Sequence, residues 1–255
     1  MIKKIGLLFS MIVGIFVFGL AQDLQEIPAD MNKTDNNGLK QGYWQEMKSQ
    51  VKSVGAYIDD LKDGTWVSYH PNGIISMIEG YKNGKSEGAF VEIDKKGYLL
   101  KESFYKNGLL DGSLKAYERG SRLILEETYK NGLLDGIRRT FYESGTLQEE
   151  SFFAAGLKEG TSKWYNQAGK PFAEYSYKDS KFEGIQKTFY DDGSLKTNET
   201  YVDNTRTGEY KEFYQDGKIK TEGFFVNNLK NGIWKEFDEN GQVISQTKFK
   251  NGIPK

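Results

Sequence analysis

Cysteine is absent from the 255-residue chain, and histidine occurs once, as His70. Without cysteine there is no disulfide framework, no thiolate metal site and no thiol nucleophile. A single histidine excludes a multi-histidine metal centre and leaves no Ser-His-Asp set to nominate. Proline is scarce, at 4 residues, and neither charge sign dominates: 35 basic and 36 acidic side chains give a net charge of −1. A chain without a basic excess lacks the electrostatic footprint of a nucleic-acid binder. What it holds in quantity is 29 Gly, 16 Tyr and 16 Phe, the mixture expected of many short strands joined by tight turns.

One long apolar run is present. Lys3 and Lys4 precede IGLLFSMIVGIFVFGL, and Gly19-Leu20-Ala21 supplies small residues before a cleavage point. Residues 1–21 therefore read as a cleaved secretory signal, which predicts a secreted, periplasmic or cell-envelope protein. The alternative, an uncleaved membrane anchor, is met by a run slightly short for a full span. Residues 22–37, QDLQEIPADMNKTDNN, are polar, carry Pro28 and read as a flexible leader.

From residue 38 to 255 one pattern repeats. Glycine recurs at Gly64, Gly88, Gly112, Gly136, Gly160, Gly184, Gly208 and Gly232, 24 residues apart, with Gly42 placed 22 residues before the first. Counting each unit from this glycine as position 0, position +17 is Tyr or Phe in every unit, from Tyr81 to Phe249. Position +5 is aromatic except at Ile93, and +11 is Ile, Leu or Val except at Pro171. A period in this range means stacked supersecondary units sharing one long core.

Two turns punctuate each unit. In His70-Pro71-Asn72-Gly73 the order Pro, Asn, Gly fits a three-residue hairpin loop, a type I turn closed by a left-handed glycine. Lys82-Asn83-Gly84 is read the same way. With both loops in this form, +5, +11, +17 and +21 (Leu109, Leu133, Leu157, Leu229) fall on one face. Helix is the competing reading, but turn residues return too often for stable helices. The expected fold is all-β: an elongated array of antiparallel β-hairpins, roughly 80–90 Å long at ~4.8 Å per strand.

The unit is displayed by GTWVSYHPNGIISMIEGYKNGKSEG (64–88) and GEYKEFYQDGKIKTEGFFVNNLKNG (208–232). It resembles the MORN-repeat variant family, which includes the YwqK-type antitoxin repeats, over residues 38–255. The resemblance implies a twisted sheet of hairpins and a non-enzymatic interaction scaffold, and the antitoxin members imply neutralisation of a partner protein. Tyr190-Asp191-Asp192-Gly193 also looks like the YD repeat of shell-forming secreted proteins, and Lys163-Trp164-Tyr165 is similar to choline- or glucan-binding repeats.

Three sets of side chains are candidates for chemistry. Acids precede the unit glycine at Asp63, Glu87, Asp111, Asp135, Glu159 and Glu183, close to lysines at +18. The glycine-rich nine-residue calcium repeat is missing, so these read as an edge of alternating charge and no metal is expected. Position +3 is basic at Lys115, Arg139, Lys163, Lys187, Lys211 and Lys235, a row able to follow an anionic polymer or lipid surface. Lysines on a buried face demand either a solvated face or a bulge near +3. Aromatics at +6 (Tyr142, Tyr190, Tyr214) and Trp164 at +4 form a stripe that either receives an extended peptide or glycan or packs against itself. The candidate binding set is thus Tyr142, Trp164, Tyr190, Tyr214, Lys163, Lys187 and Lys211, with no catalytic residue and no cofactor. The function expected is that of an exported scaffold binding a protein partner, the alternative being a glycan- or membrane-binding module.

Overall fold

The computed structural model describes residues 30–118 and 120–255. The segment read as a signal lies outside the described residues. Among those described there is no helix, and each strand pairs antiparallel with the next in one open sheet. The first long strand is Lys40–Lys48 and the last is Val243–Lys250. Short pieces, Lys33–Thr34 and Ile253–Pro254, run along the two outer edges. Residues 30–37 are the described part of the predicted leader. There Lys33 and Thr34 pair with Gln41 and Lys40, and the Asn32 side chain accepts the Gln45 N–H.

Each unit contributes two strands, for example Leu61–Tyr69 and Ile75–Lys82. The first loop has the expected form. Gly73 is left-handed (φ 85°), its N–H donates to His70 O at 2.9 Å, and Tyr69 pairs with Ile75. The second loop departs from expectation. Lys82 pairs with Lys85, leaving the two-residue loop Asn83-Gly84 with both residues left-handed (φ 49° and 76°). That is a type I′ turn, for which Asn-Gly is the preferred sequence.

Two bulges per unit then break the simple alternation of side chains. Tyr69 pairs with Ile75 but Ser68 pairs with Met77, so one residue is extra beside the first loop. At the unit glycine the irregularity is larger: Glu79 pairs with Phe90 and Tyr81 with Ser86, two steps against four. Gly88 stands inside that bulge at φ 81°, and every other unit glycine is left-handed as well. The glycine that marks the repeat is therefore a bulge residue within a strand and not a turn former.

The face assignment changes accordingly. Positions +3, +5 and +11 share a face, as expected, but +17 lies opposite, with +2 and +15. Tyr81 at +17 donates its hydroxyl to Glu79 and packs 5.7 Å from the Phe90 ring. Tyr117 at +5 instead reaches Glu102 at +14. We call these the ring face and the ladder face. The ring face buries Tyr57, Trp66, Phe225 and Trp234, and the ladder face buries Val54, Val67, Ile78 and Val91 near the N-terminal end.

Two tryptophans pin the ring face, one towards each end. Trp66 is fully buried and lies flat on Gly55, and Trp234 lies on Gly223 in the same way. Their indole N–H groups donate to Ala56 O (3.0 Å) and Phe224 O (3.2 Å). Lysine stems form the roof: Lys62 Nζ lies 4.3 Å from the Trp66 ring and Lys230 Nζ 4.2 Å from the Trp234 ring. A single-layer sheet thus hides its rings under its own cations.

Candidate binding surfaces

Along the type I′ edge, each hairpin tip is tied to the start of its own unit. Gly84 N–H donates to Lys62 O at 2.8 Å, Gly108 to Ser86 O at 2.8 Å and Gly132 to Leu110 O at 2.7 Å. The acids before the unit glycine complete the joint. Asp63 accepts the Asn83 N–H (3.1 Å), Glu87 that of Asn107 (2.8 Å) and Glu159 that of Asp179 (2.8 Å). The alternating-charge edge is corrected: these carboxylates cap backbone donors of the neighbouring tip. Among the described residues no cluster of three or more metal-ligating side chains occurs. Where the tip glycine is replaced, the substitute supplies an acceptor, as Ser180 Oγ does for Lys158 N–H (2.9 Å) and Asn204 for Phe182 N–H (2.7 Å).

The opposite edge explains the aromatic candidates. Tyr142, Tyr190 and Tyr214 donate their hydroxyls to Tyr165 O, Phe213 O and Phe237 O of the following unit, at 2.7–2.8 Å. His70 makes the equivalent contact with Ile93 O at 2.8 Å. The lone histidine is thus a variant of a repeated structural position. Trp164 packs 5.2 Å from the Tyr175 ring beneath Lys158 Nζ. These rings sit on the ring face with the +2 and +17 aromatics.

On the ladder face the basic candidates are interleaved with acids. Positions +3 and +14 alternate from strand to strand: Glu150 opposes Lys163, Lys163 opposes Glu174, and Glu174 opposes Lys187. Arg139 bridges Glu126 (3.3 Å) and Glu150 (2.7 Å), and Lys163 lies 3.6 Å from Glu174. Lys187 and Lys211 flank Asn198, where the acid is missing, and Lys211 pairs with Glu209 at 3.2 Å. Lys163, Lys187 and Lys211 are thus rungs of a mixed-sign ladder on a solvated face, beside which both bulges are present.

Electrostatics on the ring face follow its packing. Burial, with a hydrogen bond to Glu127, pushes the Tyr129 phenol up to about 12. Burial pushes Tyr177 to about 12 as well. For Glu149 burial acts upward, but the Ser151 hydroxyl, Lys158 and Arg138 outweigh it and hold the carboxyl below its ordinary range.

One surface had no sequence signature as a site. On the ladder face, beside the type I′ edge, Phe104, Leu109, Leu133, Ile137, Phe152 and Leu157 are each 39–52 % exposed. Leu109, Leu133 and Leu157 follow directly on tips, and Ile137 pairs with Phe152. Ile185, Phe224 and Ile233 are exposed further along the same face, with Thr161, Ser176, Thr200 and Glu209 at the equivalent positions between. The sequence pattern places the leucines under the +17 rings, and the two-residue loop moves them to the other face.

A family model for the MORN repeat variant matches residues 62–83, 134–155, 158–179, 182–203, 206–227 and 230–251, together just over half of the chain. The chain belongs to the MORN repeat variant family. Each matched MORN segment opens at position −2, whose carbonyl receives the tip, and closes at +19, whose N–H meets an acid at Asn83, Ala155, Asp179 and Asp203 and the Thr207 hydroxyl at Asn227. MORN repeats form scaffolds commonly used in binding and are generally non-enzymatic. Comparison with curated proteins found no match. Among solved structures, a porin-like protein from Bacteroides uniformis is 10% identical, with a TM-score of 0.18, over 89% of this chain and 96% of that one. So low a score carries no argument.

Proposed function

We propose that this MORN array is an exported scaffold that holds a protein partner on its ladder face. The observation that carries the reading is the apolar ledge from Phe104 to Leu157, six large side chains left half open in one row. Contiguous apolar surface of this kind marks an interaction site more often than accidental exposure does. The ladder beside it is balanced in sign, which favours a partner seated by apolar contact with a polar rim over a polyanion or an anionic lipid surface. Lys163, Lys187 and Lys211 then belong to that rim. Antitoxin-like neutralisation of a partner would be one use of the same surface. Export is supported by the apolar run behind Lys3 and Lys4.

A photo-crosslinking side chain placed at Leu133 or Phe152 in the full-length protein, expressed in its own cells, tests this. The expected result is a discrete crosslinked species from both positions and none from Asn240, an exposed polar residue in a first loop at the opposite edge. Equal labelling from all three positions, or from none, would overturn the reading. Recovery of the protein in the cytosol with Met1 and the apolar run intact would overturn export.

A further inference from the structure

A second surface lies on the ring face, away from the ledge. Near the first loops of three consecutive units the sheet carries an open cleft of about 570 Å³, walled by the rings of Tyr142, Phe172 and Tyr175 and floored by Ala173. The volume falls within the ~300–1,000 Å³ range of small-molecule clefts.

The cleft exists because one column shrinks. Position +13 carries Met77, Lys101, Leu125 and Glu149 in the units before, and Ala173 here. Ala173 pairs with Trp164 on one side and Thr188 on the other. A short residue beside another short residue leaves a gap that the preceding units fill; the units after carry Thr197, Thr221 and Ser245, so the column stays short beyond the cleft.

Its walls are held in place. The Tyr142 ring is anchored by its hydroxyl on Tyr165 O at 2.8 Å. Tyr175 is wedged between Trp164 (5.2 Å) and Phe182 (5.4 Å). Trp164 therefore positions a wall without lining the cleft. At the rim, by contrast, polar groups are unspent. Among the described residues the side chains of Gln167 and Asp191 make no hydrogen bond or ion pair, and Lys196 makes no ion pair, its Nζ resting 5.6 Å from the Tyr190 ring.

Fixed aromatic walls, a free amide, and one free charge of each sign suit a ligand with apolar faces and many hydroxyl groups, and no net charge. The rings stack against C–H faces while the rim exchanges hydrogen bonds with hydroxyls. We propose that this cleft is a saccharide site that takes a short stretch of a neutral glycan. An anionic polymer would meet Asp191 at the rim.

Affinity electrophoresis of the intact protein through gels containing laminarin, mannan, xylan, glycogen or, as the anionic arm, heparin tests the proposal. At least one neutral polysaccharide is expected to retard the protein, and heparin is not. Ala173→Leu, which restores the side chain found at Leu125, is expected to abolish retardation. The rim pair Asp191→Ala with Lys196→Ala leaves the Tyr190 hydroxyl on Phe213 O in place, is expected to weaken retardation, and guards against misfolding as the explanation. Phe172→Ala is expected to weaken binding about tenfold, the loss of one stacking contact. Leu133→Glu on the ledge is expected to leave retardation unchanged, so that failure of the cleft and failure of the ledge are told apart. Retardation by heparin alone, by nothing, or undiminished in both the Ala173→Leu and rim variants would overturn the proposal.

Discussion

Replacing Gly223 with alanine adds one methyl group to the strand Ile219–Val226. In an ordinary strand this helps: the backbone here is not left-handed, and restricting the unfolded chain contributes roughly 0.4–1 kcal/mol. On this sheet the new Cβ would lie well inside van der Waals contact of Cδ2 and Cε2 of Trp234. The indole has little room to give. It is 5 % exposed, stands 4.9 Å from Phe225 and 5.4 Å from Tyr210, and is held by Phe224 O. Overpacking of this kind costs roughly 1–3 kcal/mol, so the net effect of Gly223→Ala is a loss of about 1–2 kcal/mol. In a Trp234→Ala background the obstruction is gone and the same substitution becomes favourable. The coupling between the two sites is then the overpacking cost itself, roughly 1–3 kcal/mol. A stacked array frays from its ends, so a single melting temperature is a poor measure, and native-state hydrogen exchange in the last two hairpins is the suitable assay. Slower exchange in Gly223→Ala with Trp234 present, or the same change in both backgrounds, would refute the argument. Gly55 and Trp66 repeat the experiment near the other end.

The tip joints predict that Glu159→Ala costs about 1 kcal/mol and selectively speeds exchange of the Asp179 amide, which the carboxylate caps at 2.8 Å. Arg139→Ala leaves Glu126 and Glu150 facing each other without their bridge; the cost is about 1 kcal/mol at low salt and shrinks in 1 M NaCl, as denaturation at two ionic strengths will show. Tyr190→Phe removes the hydroxyl that reaches Phe213 O and is expected to cost ~0.5–1.5 kcal/mol, read as faster exchange at the neighbouring loop. Tyr129 and Tyr177 have folded values raised to about 12. Their contribution is therefore complete below the unfolded value of about 10 and is lost as pH rises through the folded one, so alkaline unfolding should track phenolate absorbance. Glu149 is depressed, so its contribution is present above about pH 4.3 and is lost as pH falls through the folded value; Glu149→Gln should flatten that acid limb.

The period, the first loop and the strand assignment were all legible in the residues, because each depends on local chemistry repeated many times. Pro71-Asn72-Gly73 admits few other loops. The second loop was misread because Lys82 precedes Asn83-Gly84 and lengthens the apparent turn by one residue, which is enough to exchange the faces. Bulges are harder. Gly73 at a loop and Gly88 in a bulge are the same residue with similar φ, 85° and 81°, and only pairing across strands separates them. The tip caps join residues about 20 apart and need that register before Asp63 can be seen to face Asn83. Of the cleft, Tyr142 belonged to a visible row, whereas Ala173 and Tyr175 sit at positions that change from unit to unit and carry no repeating mark. The ledge escaped notice for the same reason as the faces, since Leu133 moves with the loop.

The tip joint also bears on how such a chain changes over generations. It is made by a backbone N–H, a backbone carbonyl and any side chain that can accept a bond at position −1, where Asp63, Glu87 and even Thr207 serve. Nothing in it distinguishes one neighbour from another. Duplicating or excising a whole unit therefore reproduces the same seam on both sides, and the seam persists even in the 22-residue first unit, where the Asp60 N–H donates to Lys40 O. Length in this architecture is free to drift in steps of 24 residues. A ledge or a cleft can be written into one unit while its neighbours are copied, lost or replaced around it.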